Sequence, residues 1–210
     1  PRLMMKIAPA VAKAAADSGV ARRPIKDMGA YIEKLQSFVY ASGSIMKPIY
    51  AAAKLGAKKR VCFAEGEEER VLRAVQIVVD EGLAKPTLIG RPAIIAQRIE
   101  KFGLRLEEGK DYQLVNVEQD HRYRDFWQTY WHMMARQGVT QQLAKIDMRR
   151  RLSLIGAMML HKGEVDGLIC GTWSTPDVHL NYVNQVIGNR KGVSTYACMN
   201  GLLLQIGRAS

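Results

Sequence analysis

The chain is poor in the residues from which disulfide frameworks, redox motifs and metal centres are built. Cysteine occurs three times, at Cys62, Cys170 and Cys198. The number is odd and there is no CxxC pair, which removes zinc-ribbon and thioredoxin-type readings. Each cysteine lies in or beside a strand-like apolar run, so all three read as reduced core thiols suited to a reducing cytoplasm. Histidine occurs four times. His132, His161 and His179 have no partners at metal-ligand spacing and read as packing or surface residues. No apolar run reaches the roughly 20 residues of a membrane-spanning helix, so no membrane is expected as a partner. The N-terminus lacks the charged, apolar and small-residue succession of a secretory signal. It opens at Pro1 without a methionine, so the chain reads as a fragment or a processed product. There is no glycine-rich dinucleotide fingerprint and no cluster of metal-ligating carboxylates, so neither a cofactor nor a metal is expected within the chain itself.

Most of the basic excess sits at one end. Lys and Arg number 31 against 20 Asp and Glu, a formal charge of +11. Residues 1–60 hold twelve basic residues against three acids, whereas residues 61–150 balance at fourteen each. A nucleic-acid module carries its excess on the folded binding face, beside helical or aromatic readout elements. Here the excess sits ahead of the balanced part, so no nucleic acid is expected as a partner. The 48% hydrophobic and 24% charged residues are those of an ordinary globular domain.

What is present is organised around residues 59–91. A short apolar run over 61–64 is rich enough in β-formers for a buried strand, and Glu65 and Gly66 break it. From Glu67 the period changes. Val71, Leu72, Val75, Val78, Val79 and Leu83 recur at three- and four-residue steps, one face of a helix. Glu67, Glu68 and Glu69 fall in its first turn, where the helix dipole favours negative charge. After Gly82, Pro86 leads into a second strand over 87–89. A strand, a helix and a parallel strand in about thirty residues predict an α/β fold with a parallel sheet.

The flanks are read the same way. Residues 1–20 predict a helix with a kink or break at Pro9, Asp27 caps a second helix, and residues 45–55 form a third. Downstream, a helix is expected over 92–102, a strand over 112–117 and a long aromatic packing helix over 121–137. A helix from Thr140 runs to the basic trio Arg149, Arg150 and Arg151, and an apolar helix follows over 152–162. Residues 165–170 read as a buried strand ending at Gly171 and Thr172. A Gly-Thr turn there, before a helix with Pro176 at its start, is where open α/β sheets place ligands. Its free backbone amides could hold a phosphate. A helix over 178–189 and an apolar strand over 197–204 follow. The tail then stops without a closing helix, so part of the fold is expected to be missing.

Several stretches carry a resemblance: IAPAVAKAAADSGVARRPI, MKPIY, AEGEEERVLRA, LAKPTLIGRP, RYRDFW, GVT and GEVDGLICGT. In this order and spacing they resemble the bacterial NADP-dependent malic enzymes fused to a phosphate acetyltransferase-like domain. The resemblance implies three parts. Residues 1–25 would be the C-terminal end of the malic enzyme's nucleotide-binding domain and 26–58 a helical connector. Residues 59–210 would be the truncated N-terminal half of a three-layer, phosphotransacetylase-like domain. It implies a parent that decarboxylates malate oxidatively to pyruvate with NADP and Mg or Mn, machinery that this chain lacks. The implied partners are acetyl-CoA or coenzyme A, the malic enzyme domain of the same polypeptide, and further copies in a homo-oligomer. Arg70 and Arg136 fall where that family places coenzyme-A-contacting arginines, and Gly171 and Thr172 match its strand-end loop. Working transferases carry an arginine followed by proline in the next helix, where this chain has His179. The family's serine, arginine and aspartate cluster lies beyond Ser210, so no catalytic residue is assigned here. The function implied is a regulatory acetyl-CoA-binding module; the alternatives are a working phosphate acetyltransferase and a structural assembly domain.

Overall fold

A computed structural model describes residues 2–39 and 43–198. Three helices come first, α1 (Arg2–Asp17), α2 (Met28–Val39) and α3 (Gly43–Leu55). α1, α2 and α3 as far as Ala52 belong to one compact unit and Ala53–Tyr196 to a second. α1 runs through Pro9 without the expected break. The ring removes one backbone donor, and the alanine-rich remainder of the helix has propensity enough to continue. Asp27 caps α2 as expected, its Oδ1 accepting the Ala30 N–H at 3.0 Å. In this first unit no described side chain is buried.

The second unit opens with β1 (Arg60–Phe63), α4 (Glu69–Asp80), β2 (Lys85–Gly90), α5 (Pro92–Lys101) and β3 (Gln113–Asn116). Then come α6 (Tyr123–Met134), α7 (Gln141–Arg150), α8 (Leu152–His161), β4 (Gly167–Ile169) and α9 (Pro176–Val186). The strands form one parallel sheet in the order β3-β2-β1-β4. Successive strand residues point to opposite faces, and two cores result. Phe63 and Leu88 pack with Val71, Leu72 and Val75 of α4 and Ile95 of α5. Cys62, Ile89 and Val115 pack on the other face with α6, α7, α8 and α9. This is the three-layer α/β arrangement expected. α8 is the most enclosed helix, with seven consecutive residues from Ser153 to Met159 buried, as its almost uniformly apolar sequence requires.

Arg60 ties the two ends of the unit together. Its guanidinium donates to Asp166 at 2.9 and 3.2 Å and to the Gly163 carbonyl at 3.0 Å, while its own N–H donates to Asp166 Oδ2 at 2.8 Å. These bonds register β1 against β4 across a separation of 106 residues.

Four expectations need correction. The buried strand over 165–170 is shorter, Gly167–Ile169, and Ile169 is 53% exposed. Its ladder partner is β1 alone, and Gly171, at φ 118°, turns the chain out of the sheet. The aromatic helix ends at Met134 and tightens into a 3-10 turn, Ala135–Gln137, before Gly138 at φ 90°. Of the three cysteines only Cys62 is a core residue, for Cys170 is half-buried and Cys198 exposed. The acidic trio is not one helical turn, as described below. From Met199 on, the strand expected over 197–204 lies outside the described residues.

Candidate functional site

The carboxyl ends of all four strands open into one cavity of about 440 Å³. β2 and β4 flank β1 on opposite sides, so the sheet's switch point lies at the end of β1, where open α/β sheets take ligands. Glu65, Glu67 and Glu68 enter the lining after β1, Arg91 after β2, and Trp173 and Ser174 after β4. The α7–α8 junction adds Arg150, Arg151 and Ser153, and α9 adds His179 and Tyr182.

Local packing decides where each carboxylate goes. Gly66 donates its N–H to the Ile89 carbonyl at 3.0 Å, and a Cβ there would stand 2.8 Å from that oxygen. The chain therefore turns flat against β2, with the adjacent Glu65 buried at 7% exposure. Glu65 Oε1 accepts the Gly171 N–H at 3.0 Å. The Gly171 amide, expected to be free for a phosphate, is thus already held by a carboxylate.

Glu67 and Glu68 were expected inside a helix, but α4 starts at Glu69, with Glu68 extended as its N-cap. Glu67 instead takes Arg91 in a two-pronged ion pair, at 2.9 Å from Nε and 2.7 Å from the terminal nitrogen. These Arg91 bonds hold the Glu67 carboxyl below its ordinary range. Arg98 donates to the backbone carbonyl of Glu67. Glu68 accepts from Arg70 at 3.0 Å and from the Trp173 indole N–H at 3.2 Å.

His179 links two walls of the cavity. One ring nitrogen, Nε2, meets the Trp173 carbonyl. A carbonyl only accepts, so in the neutral ring Nε2 carries the proton and Nδ1 accepts the Ser153 hydroxyl at 2.5 Å. Glu65 Oε1 stands 4.0 Å from Nδ1. Arg151 lies over the Tyr182 ring at 5.8 Å and reaches Asp147 only at 4.0 Å.

None of the ligand-binding residues singled out in the sequence is part of the cavity lining. Arg70 is 74% exposed and reaches the site through Glu68. Arg136 is exposed on the 3-10 turn and is not part of the lining. Gly171 and Thr172 lead into Trp173, and the buried Thr172 Oγ1 has no hydrogen-bond partner among the described residues. Sequence reasoning missed Glu65, Arg91, Arg150, Arg151 and Trp173 as lining groups and left His179 as packing. Arg91 and Trp173 had a legible signal, since each follows the end of a strand. Among the described residues, no group of three or more His, Cys, Asp or Glu could hold a metal ion, and no helix is long and apolar enough to cross a membrane.

Residues 44–209 match the family described as phosphate acetyl/butaryl transferase. The chain belongs to that family. This family member is also similar, over nearly its whole length, to bacterial malic enzymes. It is 51% identical over 206 residues to an NAD-dependent malic enzyme of Rhizobium meliloti, covering 98% of this chain and 27% of the relative. It is 50% identical over 207 residues to an NADP-dependent malic enzyme of Salmonella typhimurium, covering 99% and 27%. The chain thus spans about a quarter of the length of these relatives, as a phosphate acetyltransferase-like domain. The phosphotransacetylase of Streptococcus pyogenes shares the fold at a TM-score of 0.64 and 22% identity, over 72% of this chain and 45% of that one.

Proposed function

We propose that this transferase-family domain is a sensor of acetyl-CoA within a malic enzyme polypeptide. Acetyl-CoA or coenzyme A occupies the strand-end cavity and alters the decarboxylation of malate in another domain of the parent polypeptide. NADP and the divalent metal belong to that other part, and the subunits assemble as homo-oligomers in the cytoplasm. The observation that carries this reading is the convergence of four strand ends on one cavity in which guanidinium groups line the walls. Such a cavity suits an anionic ligand that is larger than phosphate. His179 adds support for sensing rather than transfer. It stands where working transferases of the resemblance carry an arginine, and both its nitrogens are engaged by Ser153 and Trp173.

The test is malate-dependent NADPH formation by the intact protein with and without acetyl-CoA. A change in rate or in malate affinity is expected, because an effector acts only through differential binding to two states. No change up to saturating acetyl-CoA overturns the reading. A working acetyltransferase is the second reading, favoured by the exposed Arg70 and Arg136. It requires acetyl-CoA to form from acetyl phosphate and coenzyme A, and no such product is expected.

A further inference from the structure

We propose that His179 is a pH-sensitive latch, whose protonation releases the loop that follows β4 and walls the strand-end cavity. The latch works the same way whatever ligand the cavity takes. The loop spans residues 170–175, between β4 and α9, and carries Trp173 and Ser174 into the lining. Two bonds from outside pin its backbone. The Gly171 N–H donates to Glu65 Oε1 at 3.0 Å, and the Trp173 carbonyl accepts from His179 Nε2. The loop needs such pins, because Ser174 holds a left-handed φ of 73° that a non-glycine residue adopts only at a cost.

Both pins converge on one imidazole ring. With His179 neutral, Nδ1 accepts the Ser153 hydroxyl at 2.5 Å, while Glu65 Oε1 stands 4.0 Å away. A proton on Nδ1 turns it from an acceptor into a cationic donor. The Ser153 hydroxyl then loses its acceptor. The carboxylate becomes the better partner, because a charge-assisted hydrogen bond is roughly twice as strong as a neutral one. The His179 and Glu65 side chains are only 12% and 9% exposed, so salt and water screen their attraction little. Glu65 drawn to Nδ1 leaves the Gly171 N–H, and the ring drawn to Glu65 leaves the Trp173 carbonyl. One proton undoes both pins.

The other charged and titratable groups around the ring are engaged elsewhere or keep their charge state. From the turn between β1 and α4, Glu67 is paired with Arg91, and Glu68 is bonded to Arg70 and the Trp173 indole. From the α7–α8 junction, Arg151 lies over the Tyr182 ring, bonds to Tyr182 and ion-pairs with Asp147 at 4.0 Å. Arg91, Arg98 and Arg150 remain cations at every pH of interest. Burial pushes the Cys170 thiol and the Tyr182 hydroxyl up, so both stay neutral where histidine titrates. Asp177, on the same helix as His179, is exposed.

The experiment is amide hydrogen exchange of the intact protein from about pH 5 to 8, read by mass spectrometry on a peptide containing residues 170–175. Each rate is divided by the intrinsic rate at that pH. Protection is expected to fall about 10-fold between the alkaline and acid ends. His179→Gln keeps a donor and an acceptor but takes up no proton, so its protection is expected to stay level. Glu65→Gln removes the attracting charge and is expected to move the midpoint to lower pH. Ser153→Ala removes the bond that favours neutral Nδ1 and is expected to move the midpoint to higher pH. A purely structural role would not give shifts of opposite sign, and a thermal melt at the alkaline end checks that each variant folds. An equal fall in His179→Gln, a level profile in the unaltered protein, or midpoints that do not separate would each overturn the latch.

Discussion

At the scale of single residues, Arg60 and Asp166 show how an exposed ion pair acquires consequences through its bonds. The side-chain and backbone bonds from Arg60 hold the Asp166 carboxyl well below the usual carboxylate range. A group whose folded pKa is depressed contributes stability that is fully present above its unfolded pKa of about 3.9 and lost as pH falls toward the folded value. Asp166→Asn is therefore expected to flatten the loss of stability below about pH 4, read as melting temperature against pH. An unchanged acid limb would assign that loss to other carboxylates. The cysteines give a second residue-scale prediction. Burial pushes the Cys62 thiol up to about 12, so the reactive thiolate is scarce there at neutral pH. Alkylation followed by mass spectrometry is expected to modify Cys198 first, Cys170 slowly and Cys62 only after unfolding. Modification of Cys62 in the native protein would contradict its placement in the core.

At the scale of elements, backbone proximity and side-chain packing give different costs. A Cβ on Gly66 meets the backbone oxygen of Ile89 at 2.8 Å and the Leu88 Cβ at 2.9 Å, atoms that cannot step aside alone. Gly66→Ala is expected to cost about 1–3 kcal/mol, read as a lower denaturant midpoint at constant slope. Met158, fully buried at the centre of α8, leaves a void when truncated, and Met158→Ala is expected to cost about 2–5 kcal/mol. Elements were also where the sequence was most legible. Val71, Leu72 and Val75 announce α4 by their spacing, and the change from an apolar run to that spacing announces the parallel crossover. The acidic trio was misread because three glutamates suit a helix N-terminus, while the pull on Glu67 comes from Arg91, 24 residues away. Arg150 and Arg151 read only as part of a basic trio at the end of a helix. Nothing local says that the next helix starts by turning them toward the cavity. Site residues assembled from six different segments leave no spacing to read.

At the scale of the whole molecule, burial is divided unevenly. No described side chain before Cys62 is buried, whereas the second unit carries both cores. Amide hydrogen exchange is expected to be slowest in β1, β2 and α8 and faster in α1 and α2, because few apolar contacts oppose local opening there. Equal protection across both units would refute this division. The pairing of β1 with β4 also has a consequence for how the protein is made. β1 meets β2 within one crossover, yet its other edge waits for a strand 106 residues further along the chain. At roughly 5–20 residues per second, the nascent polypeptide carries that half-finished sheet for about 5 to 20 s before β4 leaves the ribosome. During those seconds the future strand-end cavity lacks one wall, and the unpaired side of β1 is the surface a chaperone would meet.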